Sequence, residues 1–255
     1  MMTRPDLFTI SAALLVLALV SCTPGEGDSQ ESSEVEITPY AGAGVQFEYE
    51  GTVIHVDPCG FECRRGDYSN AAPADVILIT DTAGDHLQPD LIAQLRKPGA
   101  PVVVASLPED SRDEPGRERL LAVPDRTVMN NGDEMTFAGI DIEAVAMYDL
   151  LPGEPFHEKG EGNGYVLTFG STRIYVSGVT ECVPEIRTLT DIDIAFMPLN
   201  LPHGRMEPLV AADCVKTIRP SVVYPYHYNE GPLDEWVEAL SGESDIEIRL
   251  HNWYP

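Results

Sequence analysis

Two apolar stretches, "ADVILIT" (Ala74–Thr80) and "PVVVASL" (Pro101–Leu107), restrict the fold of this chain more than any other feature. Each has the length of a strand and carries consecutive rather than alternating apolar residues, so each expects cover on both faces. Between them, "QPDLIAQLRK" sets Leu91, Ile92 and Leu95 at helical spacing, and Pro98-Gly99 ends the run. The pattern is that of an α/β protein.

The rest of the chain continues in the same style. "VQFEYEGTVIHVDP" reads as two strands joined at Glu50-Gly51, and "SRDEPGRE" as a charged loop. "TVMNNGDEMTFAGIDIEAVAMYD" supplies short strands around Asn131-Gly132 and Gly139, and "GYVLTFGSTRIYVSG" is a hairpin turning at Gly170-Ser171. Strands at "DIDIAFMPLN", "SVVYPYHY" and "DIEIRL" alternate with helices at "PLVAADCVKTIRP" and "PLDEWVEALSG". Strands, then strand and helix alternation, then the same again, predict two sheets.

The N-terminus is of another kind. Residues 1–21, with Arg4 ahead of an apolar run from about Leu7 to Val20, read as a cleaved secretory signal too short to span a bilayer comfortably. Residues 22–38 are rich in Gly, Ser, Pro and Glu and predict a flexible acidic linker, leaving residues 39–255 as one domain. Leu19-Val20-Ser21-Cys22 resembles a bacterial lipobox, which would make Cys22 the lipidated first residue of the mature chain. Thr23 after it implies outer-membrane retention. The expectation is a bacterial cell-envelope protein facing the periplasm and touching membrane through its lipid anchor alone.

A formal net charge of −26 argues against nucleic-acid binding and against a polybasic membrane patch. Four cysteines remain after Cys22. An oxidising compartment permits pairing, and Cys59 and Cys63 are close enough for a small disulfide loop, while Cys182 and Cys214 also read as ordinary buried thiols.

Polar clusters fall at three strand ends: Asp81 to His86, Val179 to Glu181, and His227. Ligands of α/β proteins sit at such ends. The order of segments resembles the metallo-β-lactamase fold superfamily, and within it the branch similar to ascorbate-6-phosphate lactonase. Five stretches carry the likeness: "TVIHVDP", "ILITDTAGDHLQPD", "AMYDLLPGEPFHEKGEGNGYVL", "RIYVSGVTE" and "SVVYPYHYNE". The resemblance implies a four-layer αβ/βα sandwich whose edge cleft holds one or two ions, usually zinc, iron or manganese, for hydrolysis.

Matched position by position, the family's Thr-His-x-His-x-Asp-His motif has Asp81 and Ala83 where its two leading histidines stand, while Asp85 and His86 match its end. Val179 replaces the family's bridging Asp, and His227 matches its last His. The resemblance therefore implies at most a mononuclear centre on Asp85, His86 and His227, with Asp81 orienting water or accepting its proton. Glu181 is a substitute-ligand candidate, and Asp149, His157 and His203 are cleft candidates; His55 and His251 read as structural. Two functions follow: a metal-dependent hydrolase of a small ester, lactone or phosphoester, or a catalytically inactive binding or scaffold domain that has lost its metal. In the second, Asp85 caps a helix start and the histidines are satisfied core-edge residues.

Overall fold

The computed structural model describes residues 34–60, 63, 66–150, 156–199, 206–229 and 231–254. The expected signal, Cys22 and His203 lie outside the described residues. Ser32–Pro255 forms one compact unit.

Its first sheet begins as an antiparallel meander of β1 (Glu36–Pro39), β2 (Val45–Tyr49) and β3 (Thr52–Val56), and grows by parallel addition of β4 (Val76–Leu78), β5 (Val102–Val104) and β6 (Thr127–Val128). Helices α1 (Pro89–Leu95) and α2 (Glu114–Leu121) make the crossovers. The second sheet contains β7 (Glu134–Phe137), β8 (Ile140–Met147), β9 (Gly162–Phe169), β10 (Thr172–Val176), β11 (Ile194–Pro198), β12 (Val222–Tyr226) and β13 (Glu247–Ile248). Its spatial order is β13-β12-β11-β10-β9-β8-β7, with α3 (Pro184–Arg187), α4 (Pro208–Ile218) and α5 (Leu233–Leu240) in its connections.

Strand periodicity explains the layers. In β4, Val76 and Leu78 join the cluster shared by the two sheets, while Ile77 and Ile79 point the other way, onto Ile92, Leu95 and Leu120 of α1 and α2. Across the sandwich, Tyr165, Leu167, Ile174 and Phe196 meet that shared cluster, and Val166, Tyr175 and Met197 face Val215 of α4 and Trp236 of α5. The result is helices, sheet, sheet, helices, the four-layer αβ/βα sandwich expected. Trp253 from "HNWYP" is fully buried, edge-on to Tyr226 at 5.8 Å, and fastens the C-terminal segment to the inter-sheet core.

Three local features differ from the sequence reading. "SRDEPGRE" is not a loop throughout: α2 starts at Glu114, with Asp113 as N-cap accepting from the Gly116 N–H at 2.9 Å. Pro115 fits a first helical turn, but Gly116 and the density of charge masked the helix. The sheet also starts inside the stretch read as linker, because Ile37 of β1 packs on the inter-sheet core and Glu36 pairs with Glu48. "DIEIRL" keeps strand pairing over two residues alone, Glu247 and Ile248.

Cys59 pairs with Cys63, and Cys182 with Cys214, which the sequence left open. The second bridge ties the start of α3 to α4 across 32 residues. His55 is buried and hydrogen-bonded through Nε2 to Ala72 O at 2.8 Å, a structural role.

Candidate metal centre

The chain's chemistry gathers where strands end along one edge of the sandwich. β3 runs into Asp57, β4 into the 81–86 loop, β8 into Asp149, β10 into Gly178-Val179 and β12 into His227. Asp57 and His227 both hold left-handed backbone, at φ +44° and +48°. Such strain in non-glycine residues persists where surrounding bonds over-determine it.

Asp57 shows what over-determines it. Its N–H donates to Leu78 O at 3.0 Å, and its fully buried carboxylate accepts from Thr80 N at 2.7 Å, Thr80 Oγ1 at 2.5 Å and His86 Nδ1 at 2.9 Å. That last bond fixes the His86 ring and leaves Nε2 facing the cluster, 3.9 Å from Asp85 Oδ1. His227 stacks on His86 with ring centroids 4.9 Å apart and places Nε2 3.2 Å from Asp85 Oδ2. One ligand atom each from Asp85, His86 and His227 lies within 4.8 Å of the others.

Electrostatics favour positive charge here. Burial opposes a charged His86, but the carboxylates of Asp57 and Asp85 outweigh it and push its pKa up to about 9. Asp85 also loses hydration, yet His86 and the His227 hydrogen bond hold it well below the usual carboxylate range. One carboxylate and two imidazoles, with one imidazole oriented from behind by Asp57, fit a single divalent cation. The orientation of His86, with Nδ1 on Asp57 and Nε2 turned to the cluster, is the observation that favours the fit.

The neighbouring half of the site is built differently. Asp81 Oδ2 lies 2.7 Å from His157 Nε2, and its Oδ1 accepts from Ala83 N at 3.1 Å. Asp149 holds the far side of His157: its Oδ2 accepts from Phe156 N at 2.8 Å and His157 N at 3.2 Å, while Oδ1 stands 3.8 Å from Nδ1. Burial works against the His157 charge, but Asp81 and Asp149 push its pKa up to about 10. The Asp81 carboxylate, though buried, is held well below its ordinary range by the same partner.

Two positions offer no ligand at all. Ala83 has no donor atom, and Val179 is a buried apolar residue whose N–H approaches Met147 Sδ at 3.2 Å. Gly178 before it, at φ +69°, has no room for a side chain, since a Cβ would stand 2.4 Å from Met147 Sδ. Glu181 does not reach the cluster; its carboxylate accepts from the Leu150 N–H, and its own N–H donates to Tyr148 O.

A cleft of about 430 Å³ runs over both halves. Asp81, Asp85, His86, His157, Val179 and His227 line it together. Sequence reasoning missed Asp57, although "TVIHVDP" had been singled out: an Asp-Pro following a buried strand was the available signal. It also missed the α2 residues Pro115 and Arg119, which line the same cleft.

A family model described as "Beta-lactamase superfamily domain" matches residues 36–227. A UPF0173 metal-dependent hydrolase of Aeropyrum pernix is 30% identical over 220 residues, covering 77% of this chain and 84% of that relative. One from Thermococcus kodakarensis is 29% identical over 163 residues, covering 62% and 69%. Among solved structures, one named as a metal-dependent hydrolase of Parabacteroides distasonis superposes with a TM-score of 0.74 at 35% identity, covering 86% of this chain and 93% of that one. The metallo hydrolase Igni18 of Ignicoccus hospitalis, at 19% identity and TM-score 0.64 over 85% and 94%, shares the fold. These matches support the superfamily without singling out the ascorbate-6-phosphate lactonase branch. By its family match, its two-sheet sandwich and its relatives, the chain belongs to the metallo-β-lactamase superfamily.

Proposed function

We propose that this domain is a hydrolase dependent on one divalent metal ion, zinc, manganese or iron, acting on a small ester, lactone or phosphoester. The observation that carries the reading is the convergence of Asp85, His86 and His227, with His86 Nδ1 already held by Asp57. Named relatives that are metal-dependent hydrolases support it.

Asp85, His86 Nε2 and His227 Nε2 would hold the ion. Bound there, it supplies Lewis acidity, polarising a substrate oxygen and lowering the pKa of water. Asp57 keeps the His86 ring in one tautomer and orientation. Asp81, held ionised by His157, is a weak base, and its part is to fix a charged imidazole on the cleft wall. Phe156 adds an apolar surface to the same cleft. We extend the proposal to location: lipid at Cys22 and an acidic linker would display the domain at the cell envelope. No helix among the described residues is long and apolar enough to cross a membrane.

The second reading, a metal-free binding domain, draws on one observation. The Asp81–His157 pair fills its half of the site without an ion, and Ala83 and Val179 offer none a ligand. Metal analysis of purified residues 32–255, with and without His227→Ala, separates the two. Stoichiometric metal that the substitution removes is expected; less than about 0.1 equivalent in the unmutated protein after zinc or manganese loading would sink the hydrolase.

A further inference from the structure

Two disulfides close this domain, and loop length separates their tasks. Cys182–Cys214 spans 32 residues inside a large core cluster, where closing a long loop restrains the unfolded chain. Cys59–Cys63 spans 4, so it restrains that chain less. Its sulfurs are buried with Ala41 in a small cluster of their own, apart from the large ones that hold the sheets and helices together.

What the short bridge touches gives it a local role. Cys59 comes two residues after Asp57, the acceptor for His86 Nδ1. Its sulfur accepts from Gln88 Nε2 at 3.3 Å, while Gln88 Oε1 accepts from the Gly60 N–H at 3.0 Å and the Cys59 N–H donates to the Tyr68 hydroxyl at 3.1 Å. Cys63 Sγ stands 3.3 Å from the carbonyl oxygen of Asp85. Gly42 also packs closely on that sulfur: a Cβ there, at φ +65°, would come within 2.7 Å of it. One pair of sulfurs therefore joins the turn that carries Asp57, the backbone of Asp85 and the residue that starts α1.

We infer that the Cys59–Cys63 bridge is a positioning element for Asp85 and His86, and that the domain's affinity for a divalent cation follows the oxidation state of this pair. This deepens, and rests on, the single-metal reading above. Closed, the bridge holds the 85–88 segment against the Asp57 turn, and groups that support ligands from behind set metal affinity along with the ligands. A dithiol opens it by exchange: the S–S bond breaks, Cys59 and Cys63 each gain a hydrogen, and the two thiols of the reductant close to a disulfide. The separated side chains then no longer tie Asp85 O and Gln88 to one point.

Alanine at both positions opens the bridge without leaving a thiol to bind metal. In residues 32–255, Cys59→Ala/Cys63→Ala should weaken zinc roughly 10-fold in a chelator competition, the low end of the cost of losing a ligand's support. Cys182→Ala/Cys214→Ala should lower the thermal midpoint further, because its loop is longer, and leave zinc affinity unchanged. Amide exchange reads the same movement without metal. The His86 and Leu87 N–H groups both donate to Ala83 O, and the first pair of substitutions should speed their exchange about 10-fold while the second pair leaves it alone. Dithiothreitol added to metal-free Cys182→Ala/Cys214→Ala protein, which keeps the short bridge, should reproduce that acceleration, and it serves equally if the first double variant does not fold. Equal zinc affinity in the two double variants, a short bridge that stays closed in the dithiol, or exchange that does not follow its opening overturns the inference. If the unmutated protein binds no zinc, the hydrolase reading fails by itself, and exchange at His86 and Leu87 still decides whether the bridge positions them.

Discussion

The two halves of the cleft meet the same physical problem in opposite ways. Each sets a carboxylate against imidazole, Asp81 buried and Asp85 partly exposed. In the Asp81 half the compensation is internal: His157 sits 2.7 Å from Asp81, and Asp149 stands behind it at 3.8 Å. In the Asp85 half the carboxylate faces two imidazole Nε2 atoms, at 3.9 and 3.2 Å, and Asp57 has already claimed the other nitrogen of His86. One half holds an ion pair of its own; the other sets a carboxylate against two imidazoles. Where one half sets Asp85, His86 and His227 within reach of one ion, the other places the His157 imidazole against Asp81.

The strongest way to break the contrast is at Asp57, where fold and site share one carboxylate. Asp57→Ala strips His86 Nδ1, Thr80 N and Thr80 Oγ1 of their acceptor at once. Removing one member of a buried pair costs about 3–5 kcal/mol, which urea denaturation would record. The milder Asp57→Asn should lower zinc affinity about 10- to 100-fold in a competition titration. Zinc affinity unchanged in Asp57→Asn would mean His86 needs no support and would dissolve the distinction between the halves.

The next largest effect sharpens it. Val179→Asp puts a carboxylate at a buried apolar position in the cleft lining. Without metal it should destabilise the protein by about 2–4 kcal/mol, the cost of an uncompensated buried polar group. Saturating zinc should recover part of that loss by binding the folded state alone, read as a larger zinc-induced rise in thermal midpoint than the unmutated protein gives.

Much of this was legible before the structure, for reasons visible in particular residues. Val76 to Ile79 announces a two-faced strand because consecutive apolar residues in an extended chain have no other place to go. Asp85, His86 and His227 were identifiable through motif order, but their separation of 142 positions between Asp85 and His227 carries no distance information by itself. Asp57 stayed hidden because its role is to hold another residue, and such roles depend on a 29-residue loop closing to 2.9 Å. The ion pair of Asp81 with His157 was hidden for the same reason. Both residues were singled out separately, and what joins them is the packing of β4 and β9 ends from different sheets, seen in Asn163 N donating to Thr80 O at 2.9 Å.

A smaller effect, per pH unit, separates the halves by titration. The folded-state pKa of His157 is raised to about 10, so the proton it binds stabilises the fold fully below its unfolded pKa of about 6.5. That contribution is lost as pH rises towards 10. The unmutated protein should therefore lose stability on the order of 1 kcal/mol per pH unit across this alkaline window from His157, with His86, at about 9, adding its own share when metal is absent. His157→Gln should be less stable at pH 7 and should show a shallower alkaline decline. The difference between the two curves isolates His157, since His86 is common to both. Equal slopes would mean that the Asp81 half is not held by a charged imidazole.

The smallest effect concerns the element that the sequence concealed. Asp113 caps α2 through the Gly116 N–H and also accepts the Thr82 hydroxyl, so the helix start and the 81–86 loop share one carboxylate. Asp113→Ala should cost about 1 kcal/mol of stability, the ordinary worth of an N-cap, because the hydrophobic seat of Leu120 remains. Its local consequence should be larger than its global one. With Thr82 Oγ1 released, Arg119 keeps its bond to Thr82 O on a less firmly held helix, whereas His86 is held by Asp57 and His227 by Asp85. Metal affinity should then stay constant while amide exchange accelerates across residues 113–121. If exchange also accelerates around His86 and His227, α2 and the metal cluster form one cooperative unit, and their independence is lost.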